Sequence, residues 1–380
     1  MKNPYCLLAS FFVLFNSCKP LQEPANPFRN TSVFVTSYNG SLYALDAETG
    51  LEQWNTILGT PMYANPSVNG ETVYGVGKSY TRNVTLYALN RKTGAVKWTA
   101  KNELPVNLLE PFFTTPTITG QTAIVINGRE SDGHGDALVV ALDAGTGQKR
   151  WAHPAALSSD FTVSDGVVYL ANSSIQAISV QTGSVLWTFT PPATGFVNER
   201  PAIADGIIYA VSRNGRLYAI DSNVQQTKWL FRTNDSPVGP AIVSSGLVYI
   251  SSSGGTLYAL DALTGVQKWS FKTTFLRRGP VEASGIVYIS CASGDVCAID
   301  AKTGVQRWLF KAPGDLTPNE NQASPIIANG IAYFVSGSSR LYALNARTGE
   351  QQWSYQTDSK LLSSLCVVDD YGTGFNPLLW

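Results

Sequence analysis

The chain of 380 residues carries 27 basic and 27 acidic side chains, so its formal net charge is zero. A chain without a positive field does not attract nucleic acid, and nucleic-acid binding is therefore not expected. Hydrophobic residues make up 44% of the chain and aromatic residues 11%, which suffices for a large buried core.

The first predicted element in chain order is an export signal over residues 1–17. It combines a basic start with an apolar run at residues 7–15, which is too short to span a bilayer. The four residues that end at Cys18 resemble a bacterial lipobox, which implies cleavage before this cysteine and its lipidation. An ordinary cleaved signal and an uncleaved anchor are the alternatives. Residues 18–30 contain three prolines and predict a flexible tether.

The rest of the chain repeats one thirteen-residue phrase eight times. Clear copies run from Leu42 to Trp54 and from Leu257 to Trp269. The intervals between the tryptophans range from 36 residues, before Trp187, to 53 residues, before Trp151. Repeats of this size with strand-like content are typical of propeller blades. The eight tryptophans are Trp54, Trp98, Trp151, Trp187, Trp229, Trp269, Trp308 and Trp353.

Each repeat predicts four short strands. In the sixth unit, strand-like runs cover residues 240–246, 247–251, 257–260 and the region around 268–271, and glycine-containing turn signals separate them. Four antiparallel strands are what a blade requires. The sequence therefore predicts an all-β fold, an eight-bladed β-propeller over residues 31–372, with a C-terminal tail over residues 373–380.

The phrase between the third and fourth strands has a physical logic. An Asp such as Asp46, Asp143, Asp261 or Asp300 can accept hydrogen bonds from backbone amides of the turn, and an Ala ten residues before each Trp leaves room for the indole. A Gly after the Thr supplies positive φ at low cost. These glycines are Gly50, Gly94, Gly147, Gly183, Gly265, Gly304 and Gly349.

The pattern Ala-x-Asp-x-x-Thr-Gly-x-x-x-Trp resembles the tryptophan-docking motif of the pyrroloquinoline-quinone (PQQ) type propeller repeats. The resemblance covers residues 31–371 and implies that each indole docks on the motif of the neighbouring blade. Departures are local. Gln225 stands in place of the Gly in the fifth copy, Ser179 replaces the Asp in the fourth, and Gln176 and Cys297 replace a Tyr.

Strand counting predicts how the ring closes. Only residues 32–37 precede the first phrase, and they match the second strand of a blade, so the first blade lacks its innermost strand. Residues 362–372 match the missing strand. The C-terminal strand is therefore expected to complete the first blade and to remove an open sheet edge.

Three connections are longer than the others, at residues 75–85, 99–115 and 127–137. In a four-stranded blade these connections emerge on one face of the ring, so they are expected to gather around blades two and three. Exposed apolar clusters with a polar rim mark docking sites. A lid that folds over the blade edges is the alternative. The candidate partner-binding residues are Leu108, Leu109, Phe112, Phe113, Arg129 and His134, with Arg200, Asp315 and Glu320 as a possible rim.

Catalytic machinery is not predicted. PQQ dehydrogenases of the resembling family have an adjacent cysteine pair, a calcium site and long inserted loops, all of which this chain lacks, and no Cys-x-x-Cys-His haem motif is present. We therefore expect no PQQ or other cofactor, no metal and no catalytic residue. His153 is expected in a surface loop, and the string from Asp132 to Asp136 is better explained as a hairpin tip than as a metal site.

Three cysteines lie in the propeller, namely Cys291, Cys297 and Cys366. The first two flank the turn at residues 293–295, and a three-residue loop would place them opposite each other. A cross-strand disulfide would then be possible, whereas a different register would leave two packed strand residues.

In length, number of blades, short loops and lipobox, the chain resembles the BamB-type lipoproteins of outer-membrane β-barrel assembly. This resemblance implies a monomeric, non-enzymatic, lipid-anchored scaffold in the cell envelope, at the outer membrane, that binds protein partners. One alternative is a small PQQ-dependent oxidoreductase. Another is a glycan-binding or adhesion module that uses exposed aromatic residues such as Tyr80, Phe113 or Phe196.

Overall fold

The structure is a computed structural model of the whole chain. It describes residues 31–59, 61–62, 64–78, 84–100, 111–113, 115–129, 136–156, 160–171, 173–191, 199–212, 214–273, 276, 278–290, 295–313, 324–336, 340–359, 361, 365–368 and 374–375.

The described residues form eight antiparallel sheets that follow one another along the chain as the blades of a ring. Blade 1 contains β1 (Ser32–Thr36), β2 (Ser41–Asp46) and β3 (Glu52–Ile57). Blade 2 contains β4 (Ser67–Asn69), β5 (Thr72–Lys78), β6 (Val84–Asn90) and β7 (Val96–Ala100). Blade 3 contains β8 (Pro111–Phe113), β9 (Thr117–Thr119), β10 (Thr122–Arg129), β11 (Asp136–Asp143) and β12 (Lys149–Ala156). Blade 4 contains β13 (Asp160–Ser164), β14 (Val167–Ala171), β15 (Ile175–Ser179) and β16 (Val185–Phe189).

The second half of the ring repeats this order. Blade 5 contains β17 (Ala202–Ala204), β18 (Ile207–Ser212), β19 (Arg216–Asp221) and β20 (Gln226–Arg232). Blade 6 contains β21 (Pro237–Ser244), β22 (Leu247–Ser252), β23 (Thr256–Asp261) and β24 (Gln267–Lys272). Blade 7 contains β25 (Val281–Ala283), β26 (Ile286–Ser290), β27 (Val296–Asp300) and β28 (Gln306–Phe310). Blade 8 contains β29 (Ile326–Ala328), β30 (Ile331–Val335), β31 (Arg340–Asn345) and β32 (Gln351–Gln356). Two C-terminal strands, β33 (Cys366–Val368) and β34 (Gly374–Phe375), join blade 1.

The core lies between neighbouring blades. The middle strands β18, β26 and β30 are buried along their whole length because each blade stacks on a neighbour on both sides. This is why these strands read as continuous apolar runs rather than as alternating ones. The outermost strands, such as β20, alternate between exposed and half-buried residues. The eight-bladed, four-stranded propeller predicted from the repeats is confirmed.

Ring closure also follows the prediction. β33 pairs with β1 in antiparallel register, with Val367 opposite Val33 and Cys366 opposite Phe34. Burial raises the pKa of the Cys366 thiol to about 12. β34 then adds a fifth strand on the inner side of β33. The segment predicted as a tail therefore contributes a strand to the sheet.

Tight turns define one face of the ring, which we call the turn face. It consists of the turns between the first and second strands and between the third and fourth strands of each blade. At Ser245 and Gly246 both central residues have positive φ, 52° and 76°, as a two-residue type I′ hairpin requires. The opposite side, formed by the connections between second and third strands and between blades, is called the loop face.

One local expectation is wrong, and one alternative left open by the sequence is decided. His153 lies within strand β12, opposite Val139, and not in a surface loop, because the outermost strand of blade 3 continues through Pro154. Proline is tolerated there since an edge strand has a free side for the missing N–H. In blade 7 the residue opposite Cys297 is Ile289, so the register does not place Cys291 directly opposite Cys297. Cys291 itself lies outside the described residues.

Candidate functional site

Seven of the eight tryptophans contact the docking motif of the next blade. The Trp269 Nε1 of blade 6 donates a hydrogen bond to the Ala301 carbonyl of blade 7 at 2.9 Å. This carbonyl belongs to the residue that follows the turn Asp. Equivalent bonds join Trp54 to Arg91 (2.9 Å), Trp151 to Val180 (2.8 Å), Trp229 to Ala262 (3.0 Å), Trp308 to Ala346 (3.0 Å) and Trp353 to Ala47 (3.0 Å).

The motif glycine provides the surface on which the indole lies. A Cβ built on Gly304 would be 2.8 Å from ring atoms of Trp269, which no side chain can occupy. The motif alanine serves the same purpose within the blade, since Ala259 lies directly opposite Trp269 on the neighbouring strand. Trp54, Trp98, Trp151, Trp229, Trp308 and Trp353 approach Gly94, Gly147, Gly183, Gly265, Gly349 and Gly50 in the same way.

A tyrosine on the second strand donates a hydrogen bond to the next blade in five of the blades. The Tyr249 hydroxyl donates to the same Ala301 carbonyl at 3.4 Å, and its ring lies 5.8 Å from that of Trp269. One carbonyl thus accepts from two donors of the preceding blade. Burial raises the pKa of Tyr209 and of Tyr288 to about 12, so these phenols stay protonated donors at neutral pH. Tyr74, Tyr209, Tyr288 and Tyr333 make the equivalent bonds to Ala144, Ala262, Ala346 and Ala47.

The turn aspartates behave as the sequence predicts. The Oδ1 of Asp143 accepts hydrogen bonds from the amides of Gly145 (3.0 Å) and Thr146 (2.9 Å), and its Oδ2 lies 2.6 Å from Nη2 of Arg150. The Arg150 guanidinium, followed by the Thr146 hydroxyl, lowers the pKa of Asp143 to about 2. Asp221, Asp261 and Asp300 form the same kind of pair with Lys228, Lys268 and Arg307. The motif residues are therefore structural and occupy the turn face.

The predicted partner-binding region is only partly within the described residues. The backbones of Phe112 and Phe113 lie in β8, paired with Gly128 and Asn127 of β10, and Arg129 pairs with Pro111. β8, β10 and β11 together form an extension of blade 3, the blade 3 extension, because β10 and β11 are eight residues long, whereas β14 and β15 of blade 4 have five each. The remaining predicted residues and the aromatic alternatives lie outside the described residues, namely Leu108, Leu109, His134, Asp315, Glu320, Tyr80 and Phe196.

Two residues of opposite charge, Asp160 and Arg200, lie at the loop face, and the sequence analysis singled out only Arg200. Asp160 begins the innermost strand of blade 4, and Arg200 lies two residues before that of blade 5. The Nε of Arg200 donates to the Thr162 hydroxyl at 3.3 Å. Burial raises the pKa of Asp160 and the positive charge of Arg200 opposes this rise. The two strands come from different repeats, so no spacing in the sequence identifies the pair.

Cavities open on both faces of the ring. One of about 870 Å³ lies at the turn face between the innermost strands of blades 6, 7 and 8. The other, about 480 Å³, lies at the loop face between blades 5 and 6 and is lined by polar residues that include Asn214, Asn234 and Asp235.

Within the described parts of the chain, no three His, Cys, Asp or Glu side chains are placed to hold a metal ion. No helix in those parts has the length and apolar character needed to cross a membrane.

Eight blades in a ring, seven of which place a Trp on the motif Gly of the next blade, define the class of PQQ-like eight-bladed β-propellers. Within this class, the chain belongs to the family described as outer membrane protein assembly factor BamB, whose model matches residues 15–165, 135–279 and 171–371. The resemblance stated from the sequence is confirmed.

Relatives of known name are moderately similar. The outer membrane protein assembly factor BamB of Yersinia pestis is 30% identical over 212 residues, which are 52% of this chain and 50% of that protein. The BamB of Moranella endobia is 28% identical over 226 residues, 54% of each. The chain thus spans about half the length of the curated relatives it matches. The crystal structure of BamB from Moraxella catarrhalis has a TM-score of 0.62 and 21% identity over 86% of this chain and 91% of that one, which shows the shared fold.

Proposed function

We propose that the protein is a non-enzymatic scaffold of the bacterial cell envelope that binds protein partners through its loop face and acts in outer-membrane protein assembly. The observation that supports this most directly is the blade 3 extension. It holds the backbone of residues 111–113 and 127–129 in paired strands at the loop face of a ring whose blades dock on one another. Family membership gives the proposed process.

The extension suits protein binding because it is built from paired strands. A binding element held by a hydrogen-bond ladder loses little conformational entropy when a partner docks, and sites on strands are more precise than sites on free loops. The docked blades supply the rigid base. The predicted residues Phe112, Phe113 and Arg129 are in the strands of this extension.

Recovery of partners from native envelopes tests this proposal. We expect crosslinking and pull-down of the full-length protein to recover a subunit of the outer-membrane assembly machinery. The variant F112A/F113A/R129A should recover much less of it. Lys302→Ala, a substitution of an exposed residue on the turn face, is the matched control and should behave as the wild type. Equal recovery by both variants, or no assembly subunit at all, would refute the proposal.

The lipid anchor is part of the proposal. Cys18 lies outside the described residues, and its lipidation rests on the lipobox-like sequence alone. Metabolic labelling with a radioactive fatty acid should label the wild type and not Cys18→Ser, and the variant should leave the membrane fraction. Unchanged labelling of the variant would exclude Cys18 as the modified residue.

Absence of quinone chemistry is likewise proposed. The polar groups of the docking residues form hydrogen bonds with one another, as the two bonds to the Ala301 carbonyl show. Titration with PQQ and calcium, followed by absorbance and dye reduction, should give neither stoichiometric binding nor turnover. Tight binding with turnover would favour the alternative of a small quinoprotein oxidoreductase.

A further inference from the structure

One position of the innermost strands is aliphatic in every blade except blade 7. It lies opposite the second residue of the neighbouring strand, as the pairs Val243–Val248 and Ile327–Ala332 show. In blade 7 this position is Glu282, opposite Val287. The residues at this position in the other blades are Val68, Ile118, Val163, Ile203, Val243, Ile327 and Val367.

The Glu282 side chain is half-buried and held in place without a cationic partner. Its Oε1 accepts a hydrogen bond from the Gly285 amide at 2.7 Å, and the Ser244 hydroxyl of blade 6 donates to its Oε2. No ion pair involves Glu282 among the residues that the structure describes. Each carboxylate oxygen retains acceptor capacity. A partly buried carboxylate costs solvation free energy that the aliphatic residue of the other blades avoids.

Glu282 lines the larger cavity, at the turn face. The cavity volume of about 870 Å³ lies within the range of about 300 to 1,000 Å³ that is usual for small-ligand sites. Apolar walls come from the innermost strands of blades 6 and 8, where Ile242, Val243 and Ile327 line the cavity and are partly exposed. A charged exception to the repeat thus coincides with a cavity that is otherwise largely apolar.

Two arginines share the cavity with Glu282. Arg307 is neutralised by Asp300, whose Oδ2 lies 2.6 Å from its Nη2. Arg347 is exposed and forms no ion pair with any described residue. The guanidinium groups would repel a ligand that carries only positive charge, and the Glu282 carboxylate would repel one that carries only negative charge. The cavity therefore suits an apolar body that carries one group of each sign.

We propose that this cavity binds a short apolar peptide with free ends. The peptide ammonium lies on the Glu282 carboxylate, the peptide carboxylate lies on Arg347, and the apolar side chains pack against Val243 and Ile327. The repeat departs from its aliphatic residue in blade 7 because the carboxylate serves a ligand rather than the fold. This site is independent of partner binding at the loop face, because it opens on the opposite side of the ring.

Calorimetric titration of the full chain with trileucine tests the proposal. We expect saturable binding with one site, and about tenfold weaker binding of N-acetyl-trileucine, because acetylation removes the charge that Glu282 recognises. Glu282→Ile restores the residue type of blades 5 and 8 and should lose trileucine binding while the melting temperature stays the same or rises. Asp205→Asn removes an acid from the turn face outside the cavity and is the matched control.

The outcomes separate a ligand role from a structural one. Loss of binding in Glu282→Ile with unchanged or higher thermal stability, and normal binding in Asp205→Asn, would support the proposal. Absence of trileucine binding at millimolar concentration would overturn it, and so would equal affinity for the free and the acetylated peptide. A lower melting temperature of Glu282→Ile together with unchanged trileucine binding would show that Glu282 serves the fold.

Discussion

At the scale of single residues, the eight copies of the docking motif allow the residue at each motif position to be compared within one chain. Seven copies place Gly at the positive-φ position under an indole, with φ between 70° and 78°. The fifth copy has Gln225, which adopts φ of 52°. Its Nε2 donates to the carbonyls of Ser222 (2.8 Å) and Asn223 (3.0 Å), which stabilises the turn locally.

We expect Gln225→Gly to stabilise the protein. A non-glycine residue in the left-handed region costs about 1 to 2 kcal/mol, and the loss of two partly exposed hydrogen bonds offsets part of the gain. The free energy of unfolding should therefore rise by roughly 0.5 to 1 kcal/mol in urea denaturation. Gln226→Gly, one residue further and inside strand β20, is the control and should destabilise. A lower free energy of unfolding in Gln225→Gly would mean that the side-chain hydrogen bonds of Gln225 outweigh its backbone strain.

Gly265→Ala should show how much blade docking contributes. A Cβ there would lie 2.7 Å from Trp229, and the residue has φ of 72°. Strain and overpacking together should cost about 2 to 4 kcal/mol. Gly246→Ala has the same kind of φ, 76°, with no atom within 4 Å of the new Cβ, and isolates the strain alone. Equal losses of melting temperature in the two variants would contradict a docking role for Gly265.

At the scale of elements, the turn between the third and fourth strands connects to the strand that follows it through a charge pair. Asp143 and Asp300 bond to the arginines seven residues later, at 2.6 Å in both cases. The Arg307 guanidinium holds the pKa of Asp300 well below its usual range, as Arg150 does for Asp143. Both carboxylates are near the surface, so each pair contributes modestly.

These pairs predict a loss of stability in acid. Because their pKa values are lower in the folded than in the unfolded state, the carboxylates stabilise the fold above the ordinary pKa near 4 and lose this effect as pH falls towards 2. We expect the melting temperature to drop across this range and to drop less in D143N/D300N. Asp205→Asn is again the control. An equal drop in all three proteins would assign the acid sensitivity to other carboxylates.

The sequence predicts the elements that form through interactions between residues close to one another in the chain. The turn Asp, the motif Gly and the Ala opposite each Trp identify the blades because each acts within a few residues or at a fixed spacing. The register at Cys297 could not be predicted, because it depends on hairpin length. β8 and β34 are strands outside the four-strand repeat, so the repeat does not predict their pairing with β10 and β33, and the interaction of Asp160 with Arg200 joins two repeats. Glu282 is an exception that becomes visible only once strand register aligns the innermost strands.

At the scale of the whole molecule, stability depends on closure between the two ends of the chain. Blade 8 docks on blade 1 through Trp353 and Tyr333, which both donate to the Ala47 carbonyl. β33 pairs with the inner edge of β1 in blade 1, and Val367 and Val368 are fully buried. The predicted closing strand is thus part of the core.

Truncation after residue 360 should destabilise the entire ring. It removes β33, opens the backbone edge of β1 and deletes the buried side chains of Val367 and Val368. We expect the melting temperature to fall by at least about 5 °C and the protein to self-associate. Truncation after residue 372 removes β34 and keeps β33, and should have a much smaller effect. If the protein truncated after residue 360 kept the melting temperature of the wild type, closure by β33 would be refuted.

The pairing of β1 with β33 also determines the order in which the blades can be completed during synthesis. Ribosomes add residues from the N-terminus, and Cys366 follows Ser32 by 334 residues. At elongation rates of about 5 to 20 residues per second, blade 1 waits roughly 15 to 70 s for its last strand. During this interval blades 2 to 8 can form from contiguous sequence, while the backbone edge of β1 remains unpaired. A chain interrupted late in synthesis is therefore the one most prone to pair with another nascent chain.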